Sequence, residues 1–404
     1  MKTVKFYTLG CKVNQYDTQS IRERFINAGF REIFNGRKAD FYFINTCTVT
    51  HKADKDSRYY IHKAHHQNPQ ARIIVTGCMV ERDRAFLSGL NSVDYIISKR
   101  FFPDGIKGFS GHARAFLKIQ DGCDNFCSYC IVPLARGRSR SRDLEEVVSE
   151  AKILVKNGFK EIVLTGICLG RYGRDLNPRL SLTDVIEALE KIGGLLRIRL
   201  SSIEAGDISD KLIDKMAQSK RLCPHLHIPI QSGDDEILKR MNRNYCRADY
   251  FSLINKIRKK IPEIAITTDV LVGFPGESEE NFRNTIGLVK EILPLRVHIF
   301  PYSPRTGTPA FNLGSRIATS IIKKRIGCLR KVSQTCSWKY RKQFLNKKIE
   351  VLIERSSTDN PNLWEGHAGN YMRVLFKSNS CLKNQVISLK LKEIAKDFTS
   401  ADIY

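Results

Sequence analysis

The sequence predicts an α/β protein in three parts: an N-terminal parallel α/β domain, a central partial barrel of six strand-helix units, and a small C-terminal β-barrel. Three observations support this. Apolar runs alternate with amphipathic helical patterns from residue 4 to 97. The alternation resumes as six units between residues 113 and 304. From about residue 345, short strand patterns follow one another with polar turns between them. The predicted domains are residues 1–110, 111–340 and 341–404.

Composition limits the class of protein and its partners. The chain has 404 residues, of which 42% are hydrophobic and 27% charged, as in ordinary soluble globular proteins. Its 67 Lys and Arg against 42 Asp and Glu give a net charge of +25, which favours RNA or DNA as a partner, with an anionic membrane surface as the alternative. We find no signal-peptide pattern and no apolar stretch of about 18 residues that would span a bilayer. We therefore expect a cytoplasmic location, no membrane partner and reduced thiols for the twelve cysteines.

The N-terminal domain places three cysteines at equivalent positions. Strands are predicted at 4–9, 41–45, 72–76 and 93–97, with helices at 16–28 and 53–66. Cys11, Cys47 and Cys78 each follow the carboxyl end of a predicted strand. Carboxyl ends of parallel strands share one edge of a sheet, so these thiols should converge on one site. The alternative is three small buried side chains with no common function.

The central part carries a second cysteine set. Cys123, Cys127 and Cys130 follow its first predicted strand, where a barrel of this kind has its site. The set lacks the fourth ligand of a closed zinc site. On a 4Fe–4S cube, three cysteine ligands leave one iron open. A zinc knuckle or a loop of free thiols is the alternative. Strands are predicted at 113–119, 162–164, 196–200, 226–230, 266–272 and 297–300, and helices at 144–156, 182–192 and 279–292.

The spacing of this second set, with the flanking stretches 120–122 and 131–138, resembles the methylthiotransferases among the radical S-adenosylmethionine enzymes. The stretches 8–15 and 44–50 resemble the N-terminal domain of the same family, in particular the branch acting on threonylcarbamoyladenosine in tRNA. The resemblance implies two 4Fe–4S clusters, one on each cysteine set, and S-adenosyl-L-methionine as cofactor. It also implies that the cofactor is cleaved to a 5'-deoxyadenosyl radical, and that the auxiliary cluster on the N-terminal set carries or donates sulfur.

Loops after the later strands are expected to bind the cofactor. The resemblance implies four such residues: Gly166, Ser202, Glu204 and Gly273. Glycine at 166 would admit the methionine part of the cofactor, the Ser202 hydroxyl and Glu204 carboxylate suit ribose or amino groups, and the turn at Gly273 would flank adenine.

Two departures from the family pattern and one histidine pair complete the central part. Cys168 stands where asparagine is usual and is expected to pack as a small apolar residue, the alternative being an altered polar contact near the cofactor. Ala205 stands where proline is usual, with little expected effect. His225 and His227 share one strand face, and we expect each to be a hydrogen-bonded structural histidine rather than a proton-transfer group.

Two basic segments are predicted to bind RNA. Directly after the cysteine loop, arginines alternate with other residues. If the backbone were extended, their side chains would share one face, where they could bind phosphate groups. These arginines are Arg136, Arg138, Arg140 and Arg142. Residues 316–348 contain eleven Lys or Arg, among them Lys323, Lys324 and Arg325, and no Asp or Glu. With the interleaved aromatics Trp338, Tyr340 and Phe344 this segment predicts an RNA-facing helix. The alternative is a solvated helix joining two domains.

The family resemblance implies an enzyme that adds a methylthio group at carbon 2 of N6-threonylcarbamoyladenosine in the tRNA anticodon loop. Its partners would be tRNA and an electron donor such as a flavodoxin or ferredoxin. The C-terminal barrel resembles the TRAM domain, an RNA-binding module. Alternatives are the same chemistry on isopentenyladenosine in tRNA or on an aspartate of a ribosomal protein, or a noncatalytic iron-sulfur protein that binds RNA.

Overall fold

The computed structural model describes residues 1–34, 36–98, 105–358 and 360–403. Its N-terminal part is a parallel five-stranded sheet with the order β2-β1-β3-β4-β5. The strands are β1 (Thr3–Thr8), β2 (Arg31–Glu32), β3 (Phe41–Thr46), β4 (Arg72–Gly77) and β5 (Tyr95–Ile96). The helices are α1 (Lys12–Asn27), α2 (His51–Gln67), α3 (Cys78–Arg82) and α4 (Arg84–Ser88). Ile44 and Val75 of the sheet pack with Ile61 of α2 in one apolar core. The predicted parallel α/β arrangement is confirmed.

The central part is a partial barrel built from two parallel three-stranded sheets. Their orders are β6-β9-β10 and β11-β12-β13, and a parallel bridge between Ser202 and His227 joins them. The strands are β6 (Arg114–Lys118), β9 (Glu161–Thr165), β10 (Arg197–Leu200), β11 (His225–His227), β12 (Ala265–Val272) and β13 (Arg296–Pro301); a separate hairpin pairs β7 (Gln120–Asp121) with β8 (Arg140–Ser141). All six predicted barrel strands are present, but β11 ends before the predicted residue 230 because Pro229 has no N–H for strand pairing.

Helices alternate with these strands. They are α5 (Val132–Arg136), α6 (Leu144–Lys156), α7 (Leu182–Glu190), α8 (Asp210–Gln218), α9 (Asp235–Arg240), α10 (Arg247–Lys260), α11 (Glu279–Ile292) and α12 (Thr319–Lys342). On β12, Val270 and Val272 belong to the apolar core that includes Phe282 and Leu288 of α11. Because strand side chains alternate between faces, Asp269 points to the interior of the barrel.

The C-terminal part is a closed five-stranded barrel with the order β14-β15-β16-β18-β17, as predicted. Its strands are β14 (Lys348–Ser356), β15 (Leu363–Ala368), β16 (Arg373–Lys377), β17 (Val386–Ile394) and β18 (Thr399–Ile403). Strands β15 and β18 were not among the predicted segments. Gly366 interrupts the apolar pattern of β15, and it is required there because a side chain would meet the Leu352 carbonyl oxygen at 2.3 Å.

A buried ionic contact joins the C-terminal barrel to the amino ends of the central strands. Glu161, which is fully buried, accepts a 2.6 Å hydrogen bond from Arg199, and Arg199 also donates to the Gly369 carbonyl at 2.9 Å. Arg114 forms a 3.0 Å salt bridge with Glu354 of β14. The C-terminal barrel therefore covers the end of the partial barrel opposite the carboxyl ends of its strands.

The N-terminal part packs against the central part through polar contacts. The Tyr16 hydroxyl donates to Glu150 of α6 at 2.8 Å, and Asp17 forms a salt bridge with Lys118 of β6. Both contacts come from α1, which follows Cys11 directly. Across the described ranges, no helix has both the length and the apolar character needed to cross a membrane.

Candidate active site

The central cysteine loop is held by its backbone. Cys123, Cys127 and Cys130 lie in the connection between β7 and α5. Gly122 has a positive φ of 75°, and a Cβ there would lie 2.0 Å from the carbonyl oxygen of Arg138. Ser128 donates its N–H to the Met241 carbonyl at 3.0 Å and accepts from the Ala310 N–H at 2.8 Å. The loop therefore has one defined course, which fixes the three thiols relative to the barrel.

The three thiols differ in their electrostatic surroundings. A hydrogen bond with the Cys168 thiol lowers the pKa of Cys123 to about 7, although burial acts against it. Burial raises the pKa of Cys130 to about 12 and also raises that of Cys127, whose Sγ accepts from Arg243 Nη1 at 3.2 Å. At neutral pH a thiol such as Cys130 would become a thiolate when its sulfur binds a metal ion and its proton is released to solvent. Three soft sulfur donors of this kind fit an iron-sulfur cluster.

A cavity of about 220 Å³ lies beside Cys127. Glu204, one of the predicted cofactor residues, lines it and forms a salt bridge with Arg243. Arg243 is 3% exposed and also donates to the Tyr245 hydroxyl at 3.0 Å. The cavity thus presents a carboxylate and a guanidinium next to a cysteine sulfur. The other lining residues are Asn125, Arg171, Arg174, Gly206, Asp207, Asn242 and Asn244.

The other three predicted cofactor residues lie at the ends of their strands, and packing explains both glycines. Ser202 follows the end of β10. A Cβ on Gly166 would lie 2.9 Å from Gln120 Oε1, and one on Gly273, whose φ is 80°, would lie 2.6 Å from the Ile322 side chain. Their cofactor-binding roles stay predictions.

Cys168 is buried, as expected, but its neighbours are polar rather than apolar. Its Sγ lies 3.6 Å from Asn125 Nδ2 and 3.6 Å from Asp207 Oδ2, in addition to its hydrogen bond with Cys123. Its backbone N–H donates to Gln120 Oε1 at 2.8 Å. The expectation that Cys168 only packs is therefore wrong, and its thiol belongs to the polar surroundings of the cysteine loop.

The N-terminal cysteines follow three neighbouring strands. Cys11 precedes α1, Cys47 follows β3 and Cys78 opens α3. Gly10 has a φ of 93°, and a Cβ there would lie 2.9 Å from Cys47 Sγ. Gly77 has a φ of 106°, and its Cβ would meet the Thr46 carbonyl oxygen at 2.3 Å. Both glycines leave the backbone close to the thiols, as a bulky cluster requires.

The two cysteine sets lie on facing elements. Helix α3 begins with Cys78 and packs against α5, which begins two residues after Cys130. Arg136 at the end of α5 donates to Asp121 Oδ1 at 2.7 Å. Burial lowers the pKa of Arg136, but the charges of Asp121, Cys78 and Cys11 raise it well above its usual range. Arg136 is therefore close to thiols of the N-terminal set as well as to the central loop.

Among the described residues, the six cysteines do not form a single-ion site. No three of their sulfurs lie within 4.8 Å of one another, as the ligands of one zinc ion would. A four-iron cluster separates its ligands more widely than one ion does.

The prediction that four arginines share one exposed face is wrong. Arg136 lies in a helix, not an extended strand, and its side chain is 2% exposed. Arg142 forms a 2.6 Å salt bridge with the buried Glu150. Arg138 and Arg140 are exposed, so their phosphate-binding role stays a prediction.

The basic helix α12 is present, but not all of its predicted RNA-facing residues are accessible. Lys323 and Lys324 are exposed, whereas Arg325 is buried and forms a 2.6 Å salt bridge with Glu277. Of the three aromatics, Trp338 is exposed. Tyr340 and Phe344 are buried in the apolar core of the C-terminal barrel, so they are not available for stacking on bases in this conformation.

Two buried arginines could not be recognised from the sequence. Arg243 has no motif around it, and its partner Glu204 lies 39 residues away. Arg305, after β13, is 1% exposed and forms a 2.7 Å salt bridge with Asp54 beside the N-terminal cysteines. Only the folded chain brings these partners together.

The histidines of β11 lie on the inner side of the barrel. His225 is buried, and its Nε2 lies 2.9 Å from Thr267 Oγ1, which confirms the structural role expected of it. His227 is half-buried, and its Nε2 lies 3.1 Å from Asp269 Oδ1. His298 of β13 completes a polar group with these two residues.

Comparison with known families matches two segments of the chain. Residues 117–289 match the radical SAM superfamily, and residues 3–98 match Uncharacterized protein family UPF0004. Among solved structures, the radical S-adenosylmethionine methyltransferase TsrM of Kitasatospora setae gives a TM-score of 0.55 at 14% identity over 77% of each chain, a likeness of fold.

Similar proteins cover nearly the whole chain. Threonylcarbamoyladenosine tRNA methylthiotransferase MtaB of Bacillus subtilis is 40% identical over 423 residues, covering 97% of this chain and 94% of the relative. MtaB of Thermotoga maritima is 38% identical over 380 residues, covering 88% and 87%. The tRNA-2-methylthio-N(6)-dimethylallyladenosine synthase of Desulfitobacterium hafniense is 32% identical over 427 residues, covering 97% and 95%.

Proposed function

This chain belongs to the methylthiotransferase family of radical S-adenosylmethionine enzymes, and we propose that it adds a methylthio group to carbon 2 of N6-threonylcarbamoyladenosine in the tRNA anticodon loop. The similarity to the two MtaB proteins supports this substrate, because they match at 40% and 38% identity against 32% for the dimethylallyladenosine enzyme. The observation that carries the proposal is the pair of three-cysteine sets beside the facing helices α3 and α5.

The family implies 4Fe–4S clusters and S-adenosyl-L-methionine as cofactors. The residues that would hold the clusters are Cys123, Cys127 and Cys130 for one, and Cys11, Cys47 and Cys78 for the other. When bound, these groups supply the radical and sulfur chemistry that an unactivated aromatic C–H bond requires. The three-thiol donor sets and the glycines beside them support this assignment.

The chain's own residues would bind and orient the cofactor. Glu204 and Arg243 offer opposite charges at the cavity beside Cys127, which suits the amino and carboxylate groups of an amino-acid moiety. The carboxylate and the Ser202 hydroxyl also suit ribose. Gly166 directly follows β9 and Gly273 directly follows β12, so both lie at the carboxyl ends of barrel strands, where backbone groups are available to the cofactor.

Exposed cations would contact the tRNA backbone. Arg138 and Arg140 lie beside the cysteine loop, and Lys323 and Lys324 lie on the surface of α12. The net charge of +25 favours the same polyanionic partner.

Three further assignments follow from this function. We divide the chain at 1–110, 111–340 and 341–404, with the last part as an RNA-binding barrel similar to the TRAM domain. We expect a cytoplasmic location, where tRNA is available. The electron that starts the reaction would come from a flavodoxin or ferredoxin.

Anaerobic reconstitution tests this function. The loaded enzyme, given reductant and S-adenosyl-L-methionine, is offered three anticodon stem-loop RNAs that differ only in the target base: threonylcarbamoyladenosine, isopentenyladenosine or adenosine. Mass spectrometry of the nucleosides should find a methylthio product with the first RNA only. Product from the isopentenyl RNA alone would favour the other tRNA branch of the family, and RNA binding with no product from any substrate would favour a noncatalytic protein.

A further inference from the structure

The inner face of the barrel carries a polar group that cluster and cofactor binding do not use. It consists of His227 on β11, Asp269 on β12 and His298 on β13, whose ring nitrogens and carboxylate oxygen lie within 4.8 Å of one another. Thr267 Oγ1 lies 2.9 Å from His227 Nδ1 and so orients the ring with its Nε2 toward Asp269. All three side chains are half-buried, which leaves them accessible to a ligand in the barrel.

Lys12 brings a positive charge to this group from the N-terminal part. It is the first residue of α1 and follows Cys11 directly. Burial lowers the pKa of His298, and the charges of His227, Arg296 and Lys12 lower it further, whereas the charge of Asp269 opposes them. The same charge helps burial to lower the pKa of His225 on the neighbouring strand. The charge of Lys12 thus acts on histidines of both β11 and β13.

Within the described ranges, no carboxylate neutralises the charge of Lys12. Among the described residues, Lys12 has no carboxylate in salt-bridge contact. By contrast, the buried arginines around the cysteine sets have carboxylate partners: Asp121 for Arg136, Glu204 for Arg243 and Asp54 for Arg305. A half-buried lysine without a partner favours an anionic ligand. It also disfavours a divalent metal ion at the histidines, because the two positive charges would repel each other.

The proposed substrate has a side chain that matches this arrangement. A threonylcarbamoyl group combines a urea, whose N–H groups are donors, with a free carboxylate. We propose that Lys12 is a specificity-determining residue that binds the carboxylate of the threonylcarbamoyl side chain, while Asp269 accepts hydrogen bonds from its urea N–H groups. This inference rests on the proposed function and names the residues that read its substrate.

A charge-assisted contact of this kind separates substrates by their charge. An apolar isopentenyl group, or a threonyl group capped as a neutral ester, would leave Lys12 half-buried without a partner. Loss of a hydrogen bond to a charged group corresponds to a change in affinity of about tenfold to a hundredfold. We therefore expect RNA with the free carboxylate to bind about tenfold to a hundredfold more tightly than RNA with the ester.

The test compares wild type with Lys12→Gln on two anticodon stem-loop RNAs, one with threonylcarbamoyladenosine and one with its methyl ester. Fluorescence anisotropy gives the dissociation constants, and nucleoside mass spectrometry gives kcat/KM. Wild type should prefer the free acid by about tenfold to a hundredfold. Lys12→Gln should lose that preference because it binds the free-acid RNA more weakly and the ester RNA as wild type does. Lys12→Arg should keep most of the preference. Iron and sulfide per chain check that the neighbouring cluster is intact in each variant.

Lys152→Gln on the exposed surface of α6 is the matched control, because it removes the same charge far from this face. It should bind both RNAs like wild type. If Lys12→Gln keeps the preference for the free-acid RNA, or binds both RNAs more weakly by the same factor, the inference is wrong while the proposed function stands. If wild type with both clusters modifies neither RNA, the proposed function fails and the inference fails with it.

Discussion

The buried guanidinium of Arg243 connects the cysteine loop to the cofactor cavity. It donates to Cys127 Sγ at 3.2 Å and forms a salt bridge with Glu204. Removing one partner of a buried ion pair leaves the other charge uncompensated, which destabilises proteins more than an exposed substitution does. Arg243 therefore has both a structural and a cofactor-facing role.

Arg243→Met is expected to lower the free energy of unfolding by about 3 kcal/mol and to weaken S-adenosyl-L-methionine binding. Urea unfolding and equilibrium dialysis measure the two effects. Arg140→Met is the control, because Arg140 is exposed and its replacement should change stability by no more than about 0.5 kcal/mol. Equal stabilities for the two variants would contradict the role of the buried pair.

For single residues, the sequence predicts the cysteines that would bind the clusters better than it predicts which side chains form ion pairs. The six cysteines could be identified because each set has a recognisable spacing or position after a strand. Arg305 could not, because its carboxylate partner Asp54 is 251 positions away and no local pattern links them. The prediction of one exposed arginine face failed for a related reason. Arg136 and Arg142 form salt bridges with Asp121 and Glu150, and the sequence pattern does not show these pairs.

At the scale of single elements, sharp turns at the ends of strands position the cysteines. Gly77 ends β4 with a φ of 106° and lies against the backbone of Thr46, directly before Cys47. A side chain there would displace the ends of both β3 and β4, because the contact is with backbone and cannot be relieved by a rotamer change. The turn therefore sets the distance between two thiols of the N-terminal set.

Gly77→Ala is expected to reduce iron and sulfide by about one cluster per chain after anaerobic reconstitution, because Cys47 and Cys78 move apart. Gly29→Ala is the matched control: its φ is 84°, but no atom of the described part of the chain lies within 4 Å of the added Cβ. It carries only the conformational cost of about 1 kcal/mol and should retain its iron. A full iron content in Gly77→Ala would contradict the proposed importance of the turn.

Long periodic elements were predictable and short or interrupted ones were not. The strands of the two α/β parts could be assigned because buried parallel strands are near-continuous apolar runs. In the C-terminal barrel, β18 was missed because its sequence Thr399–Ile403 has little apolar character. Barrel closure, which depends on pairing between distant strands, supplies the stability that its own residues do not.

For the whole molecule, the contact between the C-terminal barrel and the central strands is ionic and so depends on pH. Burial raises the pKa of Glu354, but its hydrogen bond with His367 and the charge of Arg114 outweigh burial and lower the pKa to about 2. A carboxyl group with a lowered pKa stabilises the folded chain above its ordinary value of 4.5, and this stabilisation is lost as pH falls from there toward 2.

Glu354→Gln is expected to flatten the acid dependence of stability in the chain freed of its clusters. The carboxylate contributes roughly 3 kcal/mol at neutral pH that disappears on acidification. Urea midpoints measured between about pH 5 and pH 3 should fall less steeply in the variant than in wild type. Glu187→Gln, an exposed substitution on α7, should follow wild type. Parallel curves for wild type and Glu354→Gln would contradict the ionic contact.

The surplus of positive charge should appear in the salt dependence of tRNA binding. Replacing Lys323 and Lys324 by glutamine should reduce the slope of log affinity against log salt by about two, if both contact phosphate. The control pair is Lys256 and Lys260 on α10, which form salt bridges with Asp210 and Asp214. Filter binding over a salt series measures the slopes, and the same slope in both double variants would exclude this part of α12 from the interface.

The arrangement of the whole molecule was predictable where strand order follows a rule. Convergence of Cys11, Cys47 and Cys78 follows from parallel strands ending at one edge. Nothing in the sequence indicated that α3 and α5 would face each other, or that Lys12 would approach the inner face of the barrel, because these contacts depend on how separate parts pack.

The most direct test of two clusters with separate tasks is to remove one cysteine set at a time. Iron, sulfide and 5'-deoxyadenosine are then measured in anaerobically reconstituted protein. Wild type should contain roughly eight irons per chain, and each triple alanine variant roughly four. The Cys11, Cys47, Cys78 variant should still cleave S-adenosyl-L-methionine without forming a methylthio product, and the Cys123, Cys127, Cys130 variant should not cleave it at all. Zinc in place of iron, or cleavage that survives in the second variant, would contradict the account.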